Sequence, residues 1–208
     1  MYLQSLPQLL LGIPAILIAL TFHEYAHGKM AFILGDPTAR NQGRLTLNPL
    51  AHLDILGTLL LIVAGFGWAK PVQINPFYFQ MDRRKGMMLV GLAGPVMNLV
   101  LAYLAAVLLQ IFLRYHIGGS LASTFLNLLV GYNVVLGVFN LIPVPPLDGS
   151  RVLAGLLPPE GAAVVYQLEN YGTIILLLLI ATGIIGRIIG PIISLVLDLI
   201  IRFSGLAF

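Results

Sequence analysis

The chain has 208 residues, 59% of them hydrophobic and 9% charged, with a mean hydropathy of +0.97. A soluble domain carries about a quarter charged residues, so this composition excludes a water-soluble globule and describes a multi-spanning membrane protein. The net charge of +3 comes from few residues, with Lys and Arg clustered between residues 40 and 85; that is the positive-inside pattern of a cytoplasmic segment, not a nucleic-acid patch.

Residues 9–34 form the first apolar run, long enough to cross roughly 30 Å of hydrocarbon at about 1.5 Å per residue. Gly35, Asp36 and Pro37 end it. No basic residue precedes it and the first Lys, Lys29, follows its apolar stretch, so a removable signal peptide is not expected. Inside the run, His23-Glu24-Tyr25-Ala26-His27 fits H-E-x-x-H. On a helix, positions i and i+4 lie about 40° apart and about 6 Å along the axis, so both imidazoles face one way and can share an ion. Glu24 lies between them, placed to take a proton from the attacking water. Ionisable groups near the centre of a spanning helix cost roughly 2.5–3.5 kcal/mol each on insertion scales, which argues against an idle motif.

A polar stretch from Arg40 to Pro49 follows, then an apolar run of only about twelve residues, 55–66. That length suits a re-entrant or interfacial piece better than a span. Residues 67–76 alternate weakly between Pro-marked limits and predict an edge strand or hairpin. Arg83-Arg84-Lys85 abuts a long span, 87–113, and residues 114–119 make a turn. The next span, 121–141, runs into Pro143, Pro145 and Pro146. A partly polar segment with Pro158, Pro159, Glu160 and Glu169 precedes the last apolar region, 173–203. About thirty residues would make a helix near 45 Å, too long for one span, and Gly190-Pro191 is the expected break. The fold class is therefore an all-α polytopic membrane protein of five or six apolar segments with a small re-entrant β element. No repeat or linker divides the chain, so residues 1–208 read as one domain.

Two histidines do not make a catalytic site, since catalytic zinc usually takes three protein ligands and keeps a position for water. Cysteine is absent, leaving His52, Asp54, His116, Asp148, Glu160, Glu169 and Asp198 as candidates. Asp148 stands out because three prolines interrupt the helix before it. Broken backbone at membrane depth is tolerated only where protein buries it or a wet cavity borders it. The bland alternative is a turn aspartate ahead of Gly149. His52 and Asp54, two residues apart, do not face each other on a helix and read as interfacial polar residues.

His23-Glu24-x-x-His27 together with Asn140-Leu141-Ile142-Pro143-Val144-Pro145-Pro146-Leu147-Asp148-Gly149 resembles the site-2 protease family of intramembrane zinc metalloproteases, which pairs H-E-x-x-H with N-x-x-P-x-P-x-L-D-G. Gly94-Pro95-Val96-Met97-Asn98 is similar to the family's G-x-x-x-N element, and Trp68-Ala69-Lys70-Pro71-Val72 to its substrate-presenting β segment. The resemblance spans the first run to about residue 155 and leaves no room for the PDZ domain many members carry. It implies a catalytic core of about residues 8–155 and accessory C-terminal membrane segments of about 170–206. It also implies one Zn²⁺ per chain on His23, His27 and Asp148, with Glu24 as general base. Asn140 is implied as an oxyanion donor; its alternative is hydrogen bonding between helices. Asn98, Lys70, Pro71 and Val72 are implied substrate contacts, Asn98 alternatively a structural polar group. The implied partners are the lipid bilayer and a membrane protein with a transmembrane helix, and nucleic acid is not expected.

Ligand depth constrains topology. With residues 55–66 re-entrant, Asp148 returns to the cytoplasmic half beside the two histidines; with that run spanning, it would end on the order of 15–20 Å away. The expected location is therefore the cell membrane, with the site toward the cytoplasmic half. Two other classes stay open: a channel or transporter using intramembrane ionisable groups, and a zinc-binding membrane protein without peptidase activity.

Overall fold

The computed structural model describes residues 6–54, 57 and 69–205. Helix α1 (Leu6–Ile33) carries the H-E-x-x-H motif, and the four-residue α2 (Thr38–Asn41) follows a tight turn. Gly35 makes that turn at φ +108°, a left-handed conformation that costs glycine little. Short 3₁₀ turns at Pro49–His52 and Pro76–Tyr78 punctuate the loop to α3 (Arg83–Arg114). The Asp82 carboxylate caps α3 by accepting from the Lys85 N–H at 2.9 Å. Then come α4 (Gly119–Asn140), α5 (Asp148–Leu156), α6 (Pro159–Glu169), α7 (Gly172–Ala181) and α8 (Ile184–Gly205).

Four of these helices (α1, α3, α4 and α8) are long and apolar enough to cross a membrane, and α6 with α7, bent by 75°, would make a fifth crossing if counted as one span. Helix α3 is the central post, packing against α1, α4, α5 and α8. Its Ala102, Ala105 and Ala106 meet Val130, Val134 and Val138 of α4 and Ile189 of α8. Small side chains suit a bundle in lipid, where helices associate by close packing because there is no water to expel. Gly137 illustrates the tolerance: a Cβ there would stand 3.1 Å from the Pro95 carbonyl oxygen.

The expected β element is not present among the described residues, which contain no strand and one isolated antiparallel bridge, Leu53 to Ala69. The physical reason lies in where the backbone donors go. Pro71 has none, the Val72 N–H goes to Glu24 and the Asn75 N–H goes to Asp36, so side-chain carboxylates take bonds that a ladder would need. Apart from Gly57, residues 55–66 lie outside the described residues. Leu53 and Ala69 nonetheless meet, and the Lys70 N–H donates to the His52 carbonyl at 2.9 Å.

The C-terminal break also differs. The chain turns at Thr182 and Gly183 (φ +70°), while Pro191 sits inside α8. Gly183 adopts the left-handed turn directly, whereas a proline in a membrane helix removes one backbone bond without stopping the helix. Asp198, without a visible partner in the sequence, pairs with Arg202 one turn on, at 2.9 Å.

Candidate metal centre

Helix α1 points His23 and His27 to one side, where α5 delivers Asp148 as its first residue. The two Nε2 atoms are 3.0 Å apart, and each is 3.1 Å from Asp148 Oδ2. All three side chains are buried. Among the described residues this is the one group of three His, Asp or Glu side chains whose ligand atoms converge. His52, Asp54, His116, Glu160, Glu169 and Asp198 are not part of it. His52 is buried elsewhere, its Nε2 2.8 Å from the Thr46 carbonyl oxygen.

The outer nitrogens decide what the triangle can hold. His27 Nδ1 lies 2.7 Å from the Val90 carbonyl oxygen and His23 Nδ1 lies 2.6 Å from Asn98 Oδ1. Both partners are acceptors, so each Nδ1 carries the hydrogen and each neutral Nε2 presents a lone pair. Two lone pairs and a carboxylate oxygen about 3 Å apart repel one another unless a cation lies between them. Ligands at about 2.0–2.1 Å from a tetrahedral zinc are about 3.3 Å from each other, close to the spacing seen here. The donor set and the orienting bonds on the outer nitrogens fit a catalytic zinc with one open position.

Glycines make room for this arrangement. A Cβ on Gly94 would overlap His27 Nε2 and His23 Cε1, so α3 passes directly against the ligating edge of the imidazoles. A Cβ on Gly149 would overlap the carbonyls of Leu141 and Ile142, which lets the chain fold back after the prolines and set Asp148 in place. Gly91 lies against the Asp148 carbonyl oxygen and the Arg151 Cβ, each 3.1 Å from where its own Cβ would be.

Glu24 is buried beside the triangle, with Oε2 accepting from the Val72 N–H at 2.9 Å. Val72 reaches it over the glycine face of α1, its Cγ1 3.4 Å from a Cβ built on Gly28. The loop is secured by Arg44, which donates to the Lys70 carbonyl at 2.6 Å, and by Asp36, which accepts from the Asn75 N–H at 2.7 Å. Lys70, Pro71 and Val72 are thus brought to the site as irregular chain, not as a strand.

Two expected residues have other surroundings. Asn98 is fully buried, and its amide group is spent on His23, the Ala19 carbonyl (3.0 Å) and Asn133 Oδ1 (2.8 Å). These bonds are those of the structural polar group that was the alternative for Asn98. The Asn140 amide donates to the Leu136 carbonyl of its own helix at 3.0 Å and is not joined to the triangle by a hydrogen bond. Asn133 and Asp36 were not singled out from the sequence. Both carried a legible signal: an asparagine inside an apolar helix, and a carboxylate at the end of a span.

Comparisons with known proteins agree with this geometry. The model of peptidase family M50 matches residues 115–182. A Bacillus subtilis protein named "Putative zinc metalloprotease YwhC" is 40% identical over 198 residues, covering 93% of this chain and 90% of its own. A Mycolicibacterium smegmatis protein named "Putative zinc metalloprotease Rip2" is 33% identical over 184 residues, covering 86% of this chain and 69% of its own. No solved structure gave a significant match.

Proposed function

This chain belongs to peptidase family M50, the site-2 protease family of intramembrane zinc metalloproteases, and from that premise we propose that His23, His27 and Asp148 hold its zinc while Glu24 serves as general base in peptide-bond hydrolysis. The protein is a multi-pass membrane zinc metalloprotease acting on membrane-protein substrates. The observation that carries the residue assignment is the convergence of two Nε2 lone pairs and Asp148 Oδ2 within 3.1 Å, each imidazole being fixed through its Nδ1.

Zinc, when bound, supplies a Lewis acid that polarises the scissile carbonyl and acidifies water. The protein's own residues supply the rest. Glu24, adjacent in sequence to a ligand, takes the proton of the attacking water and returns it to the leaving amine. The Val72 N–H orients that carboxylate through its bond to Oε2. The oxyanion role goes to Asn140, whose amide nitrogen donates one hydrogen to the Leu136 carbonyl and has a second to offer the reacting oxygen. Substrate contact goes to Lys70, Pro71 and Val72, because this segment leads to Glu24 through the Val72 N–H and a transmembrane substrate must unwind locally before attack. Residues 8–155 form the catalytic core in this reading, with the segments at 170–206 accessory. The site faces the cytoplasmic half of the cell membrane, supported by the Lys and Arg between residues 40 and 85.

Metal analysis of the parent and of Glu24→Gln, beside a cleavage assay with single-span membrane proteins, tests the assignment. We expect about one zinc per chain in both and cleavage by the parent only. A metal-free parent, or cleavage by the Gln variant at the parent's rate, would overturn it.

A further inference from the structure

We infer that Asn133 is a positioning residue for the metal centre, acting through Asn98 on His23; the inference rests on the reading that His23, His27 and Asp148 hold zinc. Neither asparagine has any exposed surface, so no water substitutes for a missing partner. An amide can reverse its oxygen and nitrogen with little change of shape, and only its hydrogen-bond partners decide which way it points.

The direction of each amide here is dictated by the one before it. Asn133 Nδ2 donates to the Leu129 carbonyl at 2.8 Å, which a reversed amide could not do. Its Oδ1 is thereby turned toward Asn98, whose Nδ2 donates to it at 2.8 Å and to the Ala19 carbonyl at 3.0 Å. Both hydrogens of that nitrogen are committed, so Asn98 Oδ1 is left to accept from His23 Nδ1 at 2.6 Å. The hydrogen on Nδ1 leaves a lone pair on His23 Nε2, 3.1 Å from Asp148 Oδ2. The relay runs from α4 through α3 to α1. Only its last member, His23, would hold the ion.

His27 is held differently, by the Val90 carbonyl. A backbone oxygen on a helix cannot flip, so this ligand needs no relay. Removing the Asn133 acceptor therefore leaves His27 in place while one buried Asn98 N–H loses its partner and the amide is free to swing. The competing role for Asn133 is simple interhelical bonding in the bundle, and the test separates the two.

The test measures zinc affinity by chelator competition on the detergent-solubilised full chain, with the visible spectrum of the Co²⁺-loaded protein as a second readout. Asn133→Leu is expected to bind zinc about 10–100-fold more weakly and to shift the Co²⁺ bands, as loss of an orienting partner does. In an Asn98→Ala background the same substitution is expected to cause no further loss, because its route to His23 is already cut. Parent-like affinity in Asn133→Leu, or an equal loss with and without Asn98, would overturn the inference. Should Asn133→Leu not fold, Asn133→Ser replaces it with the same expected losses, since its hydroxyl is too short to keep the bond. A parent chain that binds no zinc would instead sink the metal-centre reading itself.

Discussion

Helices α3 and α8 are both strongly apolar and both cross the bundle, yet they bury different things. Along α3 the buried positions are Gly86, Gly91, Gly94, Asn98, Ala102, Ala105 and Ala106, with Val90 and Pro95 the larger exceptions. Along α8 only Ile189 and Ser204 are buried, while Ile188, Ile192, Leu195, Leu199 and Phe203 stand outward. In water the large aliphatic residues would turn inward. In lipid the tails solvate them as well as a protein core does, so the inside goes to small residues that let backbones approach and to polar groups that need partners. Hydropathy alone does not distinguish these helices; the placement of Gly, Ala and Asn does.

That contrast can be broken by substitution. The largest effect is expected at the triangle, where Asp148→Ala should abolish zinc binding and cleavage together, read by metal analysis and a cleavage assay. Retained zinc would show that the carboxylate is not a ligand. Next comes one extra methyl in each region. Gly94→Ala puts a carbon into both imidazoles and should lower zinc affinity by about 10–100-fold. A Cβ on Gly186 or Gly190 of α8 meets nothing within 4 Å. Those substitutions should leave zinc binding unchanged and stabilise the helix by about 0.5–1 kcal/mol, measured by thermal unfolding.

Truncating a large residue gives a comparison of opposite sign. Fully buried Val134 should lose about 1–2 kcal/mol as Ala, following the cost of deleted core methyls. Leu195, more than half exposed to lipid, should lose far less, and equal losses would erase the distinction between the two helices. The smallest effect is expected at Arg202→Ala, which breaks an exposed pair with Asp198; unfolding should shift by under about 0.5 kcal/mol.

How much of the site was legible follows the same division. His23, Glu24 and His27 could be singled out because an ionisable group has no reason to lie in an apolar run unless it has a partner, and Asp148 because three prolines break the helix before it. Asn98 was visible as a polar residue, but its role was not, since a hydrogen bond to His23 across 75 residues of sequence is a fact of helix packing. The strand expected near residue 70 failed because alternation describes side chains, while Glu24 and Asp36 had taken the backbone donors. The break expected at Gly190-Pro191 fell at Gly183 because sequence marks several permissible turns and packing selects one.

Composition and local spacing by themselves determined that the chain lives in lipid and that two imidazoles one turn apart face one direction; the five or six apolar segments expected compare with four membrane-capable helices among the described residues, or five with the bent pair. These follow from solvent and helix geometry, which act on neighbours in sequence. Tertiary structure alone decided that Asp148 meets those imidazoles, that Gly94 lies against them with two asparagines behind His23, and that α8 turns most of its large side chains outward. Those are contacts between distant residues, fixed by which helices can approach closely enough to satisfy buried polar groups where no water can.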